Sequence, residues 1–586
     1  MLGTYASFVV VFGASSLAGQ AILAACGRRE WSWLAPAVGL AALCPLAWWT
    51  VRLPGEGTAA LVAIAAAAAA ATLLLRGRVS WRSATVGDAP WVGLAALLLA
   101  SLPFIIEARF GILGTGLNPD MSQHLFAADR LASGGSERLI ADGYPLGPHS
   151  IVVAVSALGP SAVEAFNGLT LAVAVAACLA PLALFDMRGA WRRTAGALCI
   201  GLTYLVAAYL VQGAFKETMQ ALFVLAFAIA LRHLARGRAP GESRAPGALE
   251  AMPLAVLAIG SVYVYSFPGL AWLIGALAVW AAFELGRAAP RRPFAEALRL
   301  ARRAAPTALI TLLVLVVAIA PEAGRIADFA DFETFDPDGE GLGNLFDRLS
   351  PLEALGIWPS GDFRVEPGDG AVPAVAFYLG AAFGLAALGF GLAWWWRRGE
   401  GAVPAALVAA ALLWLYSLVA GTPYQEAKAL VLASPLVALV TIRALGAAAP
   451  ALVAAAFLLA AGGSSVLALV NGPVGPSGYS PALAELRSQL GPRSTVVFAP
   501  GELLDEQHGR DYLAWELRGN RICVEELPAD GPARAPAGAG ALTVSLEDGA
   551  VVPEALQRAA RPPDAEEPCP LIPDRARADP SAGANG

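Results

Sequence analysis

Apolar residues along this chain come in blocks about 20 long, separated by short polar breaks, and a block of that length crosses roughly 30 Å of hydrocarbon as a helix. Hydropathy predicts spans near 2–26, 32–52, 57–75, 88–106, 160–185, 194–211, 216–233, 250–267, 268–286, 304–320, 372–396, 401–420, 427–443 and 450–470. The chain is therefore expected to be an all-α polytopic membrane protein with about 14 transmembrane helices. Residues 2–26 lack a basic start and run past the usual signal-peptide core, so they are expected to be the first span. Two long loops interrupt the pattern, 107–159 and 321–371, and a polar tail follows residue 470. Within the tail, 481–490 and 502–518 have helical spacing, while 495–498, 522–524 and 542–544 have the short β-branched runs of strands. A small α/β domain over 471–550 is expected, with a disordered tail over 551–586 where Pro, Ala and Asp dominate.

Composition agrees with this picture. The 586 residues are 57% hydrophobic and 15% charged, against about a quarter charged in a soluble protein. The basic residues sharpen it further. Arginines cluster after the first span (Arg28, Arg29), the third (Arg76, Arg78, Arg82) and the fifth (Arg188, Arg192, Arg193). They recur after the seventh (Arg232, Arg236, Arg238, Arg244), the ninth (Arg287 to Arg303) and the eleventh (Arg397, Arg398). Every second loop is basic, as expected of cytoplasmic loops. The N-terminus, both long loops and the tail then fall outside the cell membrane. The net charge of −6 sits in loops and tail and argues against nucleic acid as a partner. Cys26, Cys44, Cys178 and Cys199 lie in or at apolar segments and are expected to be packing groups. Whether Cys523 and Cys569 pair in an outer tail stays open.

Of 40 basic residues only two are lysines, Lys216 and Lys428. Each lies beside a glutamate at the start of a span, in Phe215-Lys216-Glu217-Thr218 and Tyr424-Gln425-Glu426-Ala427-Lys428. A helix dipole opposes a cation at the N-terminus, whereas a bound phosphate would take up both the ammonium charge and the free N–H groups. Lys216, Glu217, Gln425, Glu426 and Lys428 are therefore candidate ligands of a lipid phosphate; local Lys–Glu pairing is the competing reading. Tyr424, Tyr263 and Tyr265 are expected to be interfacial anchors of an aromatic belt.

The first long loop carries Glu107, Asp120, His124, Asp129, Asp142 and His149. Asn118 is expected to cap a short helix that starts at Pro119 and lies on the membrane surface through Leu125, Phe126 and Leu131. Asp120 and His124, four apart, would share a face of that helix. A carboxylate beside an imidazole can deprotonate a hydroxyl or hold a divalent cation such as Mg or Mn. Glu107 is the reserve base. Tyr144 and His149 bracket the entry to a run, 150–158, too short to span. No HExxH, paired CxxC or Gly-rich phosphate loop is present in the sequence.

An outer first loop with an acidic residue and a surface helix, many spans and an outer C-terminal domain resemble the GT-C superfamily of polytopic glycosyltransferases. The resemblance rests on 118–124, on Tyr144-Pro145 through His149 and on Lys216-Glu217, and covers roughly 88–470, with 1–87 as additional N-terminal helices. It implies a polyprenyl-phosphate-linked sugar as donor and a glycan, lipid or protein as acceptor, in cell-envelope synthesis among membrane lipids. It also implies Asp120 as acceptor-activating base and the two lysines as phosphate ligands. Two features depart from it: three spans precede the loop-bearing helix, and Met121 follows Asp120 where many members have a second acid. A transporter or flippase of a lipid-linked or anionic substrate, and a non-catalytic envelope scaffold, are the alternatives.

Overall fold

The computed structural model describes residues 1–475 apart from 29, 78–86, 115–117, 119, 136–137, 186, 188, 237–247, 289–292, 331–341, 343–344, 346–347 and 364. Beyond 475 it describes 487, 495–498, 515–524, 542–547 and 550–554. The first helices are α1 (Leu2–Ala25), α2 (Ala35–Val51), α3 (Glu56–Leu75), α4 (Ala89–Ala100) and α5 (Leu102–Ile106). The first long loop carries α6 (Met121–Ala132), α7 (Arg138–Ala141) and α8 (Gly147–Ser156). Then come α9 (Ala162–Leu179), α10 (Ala190–Gly201), α11 (Tyr204–Val211), α12 (Phe215–Arg236), α13 (Ala248–Tyr265), α14 (Pro268–Ala288) and α15 (Pro293–Ile319). The second long loop contains α16 (Ala323–Ala330), and α17 (Ala374–Arg397), α18 (Ala402–Ala420), α19 (Pro423–Ala448) and α20 (Ala451–Val470) close the bundle.

Among the described residues, ten helices are long and apolar enough to cross a membrane, and α10 with α11, bent by 53°, would make an eleventh. The multi-pass helical architecture expected from the sequence is therefore present. Three further stretches of the predicted 14 are shorter apolar helices: α2, α13 and the α4–α5 pair. The break between α4 and α5 falls at Ser101, two residues before Pro103, a residue that supplies no N–H to continue the ladder.

The apolar stretches of α9 and α19 are buried throughout, and that of α12 nearly so. α15 sits at the other extreme, its Leu309, Leu312, Leu313 and Val317 turned outward as on a lipid-facing helix. Small residues let the inner helices approach closely. A Cβ at Gly19 would strike the Ala35 carbonyl, one at Gly39 the Ser15 carbonyl and one at Gly168 the Ser7 side chain, so α1 packs backbone-close against α2 and α9.

α12 and α19 lie against each other and are clamped at their C-terminal ends. Glu400, between α17 and α18, accepts from Arg232 Nε at 2.6 Å and Arg443 Nη1 at 2.9 Å, with Arg398 Nε at 3.8 Å. Arg443 is fully buried, its guanidinium over the rings of Trp394 and Trp395. Burial alone would raise the Glu400 carboxyl, but the hydrogen bond from Arg232 and the charge of Arg443 outweigh it and hold the group down to about 2.

In the tail, β1 (Thr495–Phe498) runs parallel to β2 (Arg521–Val524) and to β3 (Leu542–Glu547), and β3 pairs antiparallel with β4 (Ala550–Glu554), in the order β2-β1-β3-β4. Most of the helices expected over 481–490 and 502–518, residue Cys569 and the stretch 555–586 lie outside the described residues, while 551–554, expected to be disordered, belong to β4.

Candidate functional site

The loop after α5 is pinned before it reaches α6. Gly114 donates to the Pro473 carbonyl and Gly475 to that of Ile112, joining this loop to the segment after α20. Asn167 of α9 donates to Gly111. At Gly114, with φ +79°, any Cβ would collide with the Gln212 backbone, so glycine is required. Asn118 then donates through Nδ2 to the Gln212 carbonyl, and its Oδ1 accepts from the Asp120 amide at 2.9 Å. The helix begins at Met121 with Asp120 as N-cap, two residues later than the sequence reading placed it, and the Asn118 side chain caps this start from outside. Nor does α6 lie on a membrane surface through its apolar side. Leu125 and Leu131 are buried against the body of the protein, including α8, and Phe126 is half-buried.

These constraints leave a small cleft lined by Asn118, Asp120, His124, Tyr144, Tyr209, Gln212, Ala214, Phe215, Lys216, Glu217, Leu345, Tyr424 and Lys428. The two lysines of the chain meet here from separate helices. Their pairing is not local. Glu217 cannot face its neighbour Lys216 on one helix, and it reaches across to Lys428, Oε1 to Nζ 3.2 Å. Lys216 is buried with its ammonium 3.7 Å from the centre of the Tyr144 ring, and Lys428 holds the same relation to Tyr424 at 4.0 Å. Among the described residues Lys216 makes no ion pair.

Tyr144 is itself held by the second long loop. Arg325 donates to the Tyr144 and Ile140 carbonyls at 2.8 and 2.7 Å, and the Phe329 ring stands edge-on to Tyr144 at 5.7 Å. On the opposite wall the Tyr424 hydroxyl donates to Asp120 Oδ2 at 3.5 Å. Behind the cleft His124 Nδ1 and His149 Nε2 are 3.2 Å apart, enclosed by Phe166 and Phe215. Burial pushes the His149 imidazole down to about 3, so the ring is neutral. Among the described residues its buried Nδ1 has no hydrogen-bond partner, which is tolerable for a lone pair and costly for an N–H. The proton is therefore assigned to Nε2, which donates to His124, and His124 carries its own proton on Nε2.

Asp120, His124, Tyr144, Lys216, Glu217 and Lys428, all singled out in the sequence, share this cleft. Others do not. Glu107 is exposed at the C-terminal end of α5 and does not line it. His149 stands behind His124 as a buried support. Gln425 serves the N-terminus of α19: its Oε1 accepts from the Thr422 amide, while Thr422 Oγ1 accepts from the Gln425 amide. Glu426 is buried, accepting from Trp414 Nε1 at 3.3 Å and pairing with Arg348 at 3.6 Å. Tyr263 donates to the Ala318 carbonyl and ties α13 to the end of α15.

Tyr424, expected as a belt anchor, is instead a wall of the cleft. The signal was its spacing, four residues before Lys428 and so on the same helical face. Asn118 and Gln212 bracket the site through one hydrogen bond, and the polar break Gln212-Gly213 between apolar runs marked that place. Tyr209 and Leu345 left no comparable trace.

Chemically the cleft offers two ammonium groups for an anion, a carboxylate at a helix start and a neutral imidazole donor. Among the described residues no three His, Cys, Asp or Glu side chains converge as metal ligands. No protein-family model matches the sequence, and no curated protein matches it.

Proposed function

We propose that the protein is an integral membrane glycosyltransferase that moves a sugar from a polyprenyl-phosphate donor to an extracytoplasmic acceptor. The observation that carries the reading is the meeting of Lys216 and Lys428, the only lysines in the chain, with Asp120 in one cleft. A compact, strongly hydrated ammonium suits a phosphate as a point charge, and this chain uses arginine everywhere else.

In this reading the donor phosphate lies between the two ammonium groups. Asp120 accepts the proton of the incoming hydroxyl as its oxygen bonds to the anomeric carbon. The bond from that carbon to the phosphate oxygen breaks, and polyprenyl phosphate leaves with the electron pair. His124, a neutral donor fixed by His149, orients the acceptor. The reading also takes the cleft side, both termini and a C-terminal α/β cap to be extracytoplasmic, with 14 spans counted by including α2, α13 and α4–α5. Cysteine labelling in intact cells at 335–345 but not at 236–245 is the expected topology result, and the reverse overturns the orientation.

Asp120→Asn keeps the shape and removes the base, so sugar transfer should fall by about 10²–10⁴-fold while polyprenyl-phosphate binding persists. Transfer at the wild-type rate would defeat this assignment. A second reading, a flippase of a lipid-linked anion, draws on the bent α10–α11 pair and on the Gln212-Gly213 break beside the cleft, since discontinuous helices form many transporter sites. Movement of substrate across vesicles with no sugar transfer would favour it.

A further inference from the structure

The side chain that joins the two halves of the cleft is Tyr424. It sits in the first turn of α19, four residues before Lys428. Its ring is the face on which the Lys428 ammonium rests at 4.0 Å, and its hydroxyl reaches Asp120 Oδ2 at 3.5 Å from the start of α6. Its backbone is fixed independently of either contact. Thr422 and Gln425 close a reciprocal cap around it, and Pro423 sets the first helical φ. The ring is thus a rigid spacer with an aromatic face toward the cation and a hydroxyl toward the carboxylate. The corresponding ring on the other wall, Tyr144 beneath Lys216, is held by Arg325 through its carbonyl.

We propose, building on the transferase reading, that Tyr424 is a positioning residue with two separable duties. Its ring places Lys428 for the donor phosphate, and its hydroxyl aims the Asp120 carboxylate at the acceptor hydroxyl. The hydrogen bond is long at 3.5 Å, and contacts of this kind tighten when substrate closes around them. The Tyr424 face holds the Lys428 ammonium for the phosphate, and the same ring keeps the base in register.

Two substitutions separate the duties. Tyr424→Phe keeps the ring and deletes the hydroxyl; Tyr424→Leu deletes both. The full-length chain in lipid nanodiscs is assayed for binding of undecaprenyl phosphate, and for transfer of radiolabelled sugar from a native extract of polyprenyl-phosphate-linked sugars. Tyr424→Phe should bind undecaprenyl phosphate within twofold of wild type, with donor KM unchanged and kcat lowered about tenfold, the size of one lost hydrogen bond. Tyr424→Leu should add about a tenfold loss of undecaprenyl-phosphate affinity, as expected for a cation stripped of its aromatic face. Equal losses of affinity and kcat in both variants would indicate packing alone and overturn the inference. Where Tyr424→Leu does not fold, the KM-against-kcat split in Tyr424→Phe decides the matter. If the wild-type protein transfers no sugar, the transferase reading falls and this inference with it. If the wild type transfers sugar but Asp120→Asn does so at the same rate, or if Asp120→Asn is inactive while Tyr424→Phe transfers normally, the inference alone falls.

Discussion

α12 and α19 carry a charged cluster at each end, and the two ends are built differently. From Lys216 to Arg232 and from Lys428 to Arg443 the helices advance about 24 and about 22 Å, so the clusters lie at opposite ends of the same pair. At one end Arg232 and Arg443 share a single Glu400 oxygen under tryptophan rings, in a buried clamp that uses the planar forks of arginine. At the other, lysines line a cleft, one paired across helices to Glu217 and both resting on tyrosine faces. Charges that hold helices together are buried and multiply hydrogen-bonded. The two lysines instead line a cleft, the place that the proposed function gives to a phosphate. The difference is in the geometry and not in the count of ions.

The comparison can be tested by removing charge at each end. Glu400→Ala leaves two arginines buried around one missing carboxylate, and losing one partner of a buried pair costs about 3–5 kcal/mol. Thermal unfolding in nanodiscs should show the largest drop of any single substitution described above, with undecaprenyl-phosphate affinity unchanged in whatever remains folded. The Lys216→Ala, Lys428→Ala pair should reverse that ranking. Affinity for undecaprenyl phosphate should fall by more than about tenfold, since two charge-assisted contacts are lost, while the unfolding temperature moves less than in Glu400→Ala because water can enter the cleft. Lys→Arg at either position should recover only part of the binding, because a fork does not replace a compact ammonium. A larger stability loss in the lysine pair than in Glu400→Ala would erase the distinction between the two ends.

Acid should affect the two ends in sequence. His149 is held down to about 3 by burial, below the ordinary 6.5, so its contribution to stability is complete above about pH 6.5. That contribution is lost progressively as pH falls toward 3, because the unfolded chain takes the proton first. Glu400, depressed to about 2, contributes fully above its ordinary carboxylate range near 4.5 and loses that support only as pH falls from there toward 2. Unfolding followed against pH should therefore weaken in two stages. His149→Phe should abolish the upper stage and leave the lower one, with the smallest effect of the set at neutral pH, and an unaltered upper stage in that variant would remove His149 as its source.

Part of this molecule was legible without coordinates. Blocks about as long as a bilayer is thick can only be helices in lipid, where every backbone N–H needs a partner within its own segment, and the membrane-helix class follows from that alone. The place of each lysine among polar residues at a span start was visible for the same reason: in a chain this apolar, charge stands out. Where a span ends was less legible. The stretch 88–106 reads as one apolar block, yet Ser101 and Pro103 divide it, because a single absent N–H outweighs a run of favourable side chains.

The sequence by itself determined that the chain is a bundle of apolar helices and that Asp120, His124, Tyr144, Lys216 and Lys428 are unusual within it. Only the tertiary structure decided which of them meet. Lys428 pairs with Glu217 and not with its own neighbour Glu426, Gln425 is spent on a helix cap, His149 stands behind His124, and Tyr424 leaves the expected aromatic belt for the wall of the cleft. Hydropathy is a property of each segment and can be read one segment at a time. A cleft is made by the ends of separate helices, and its composition depends on packing and rotation that side chains far apart in the chain set together.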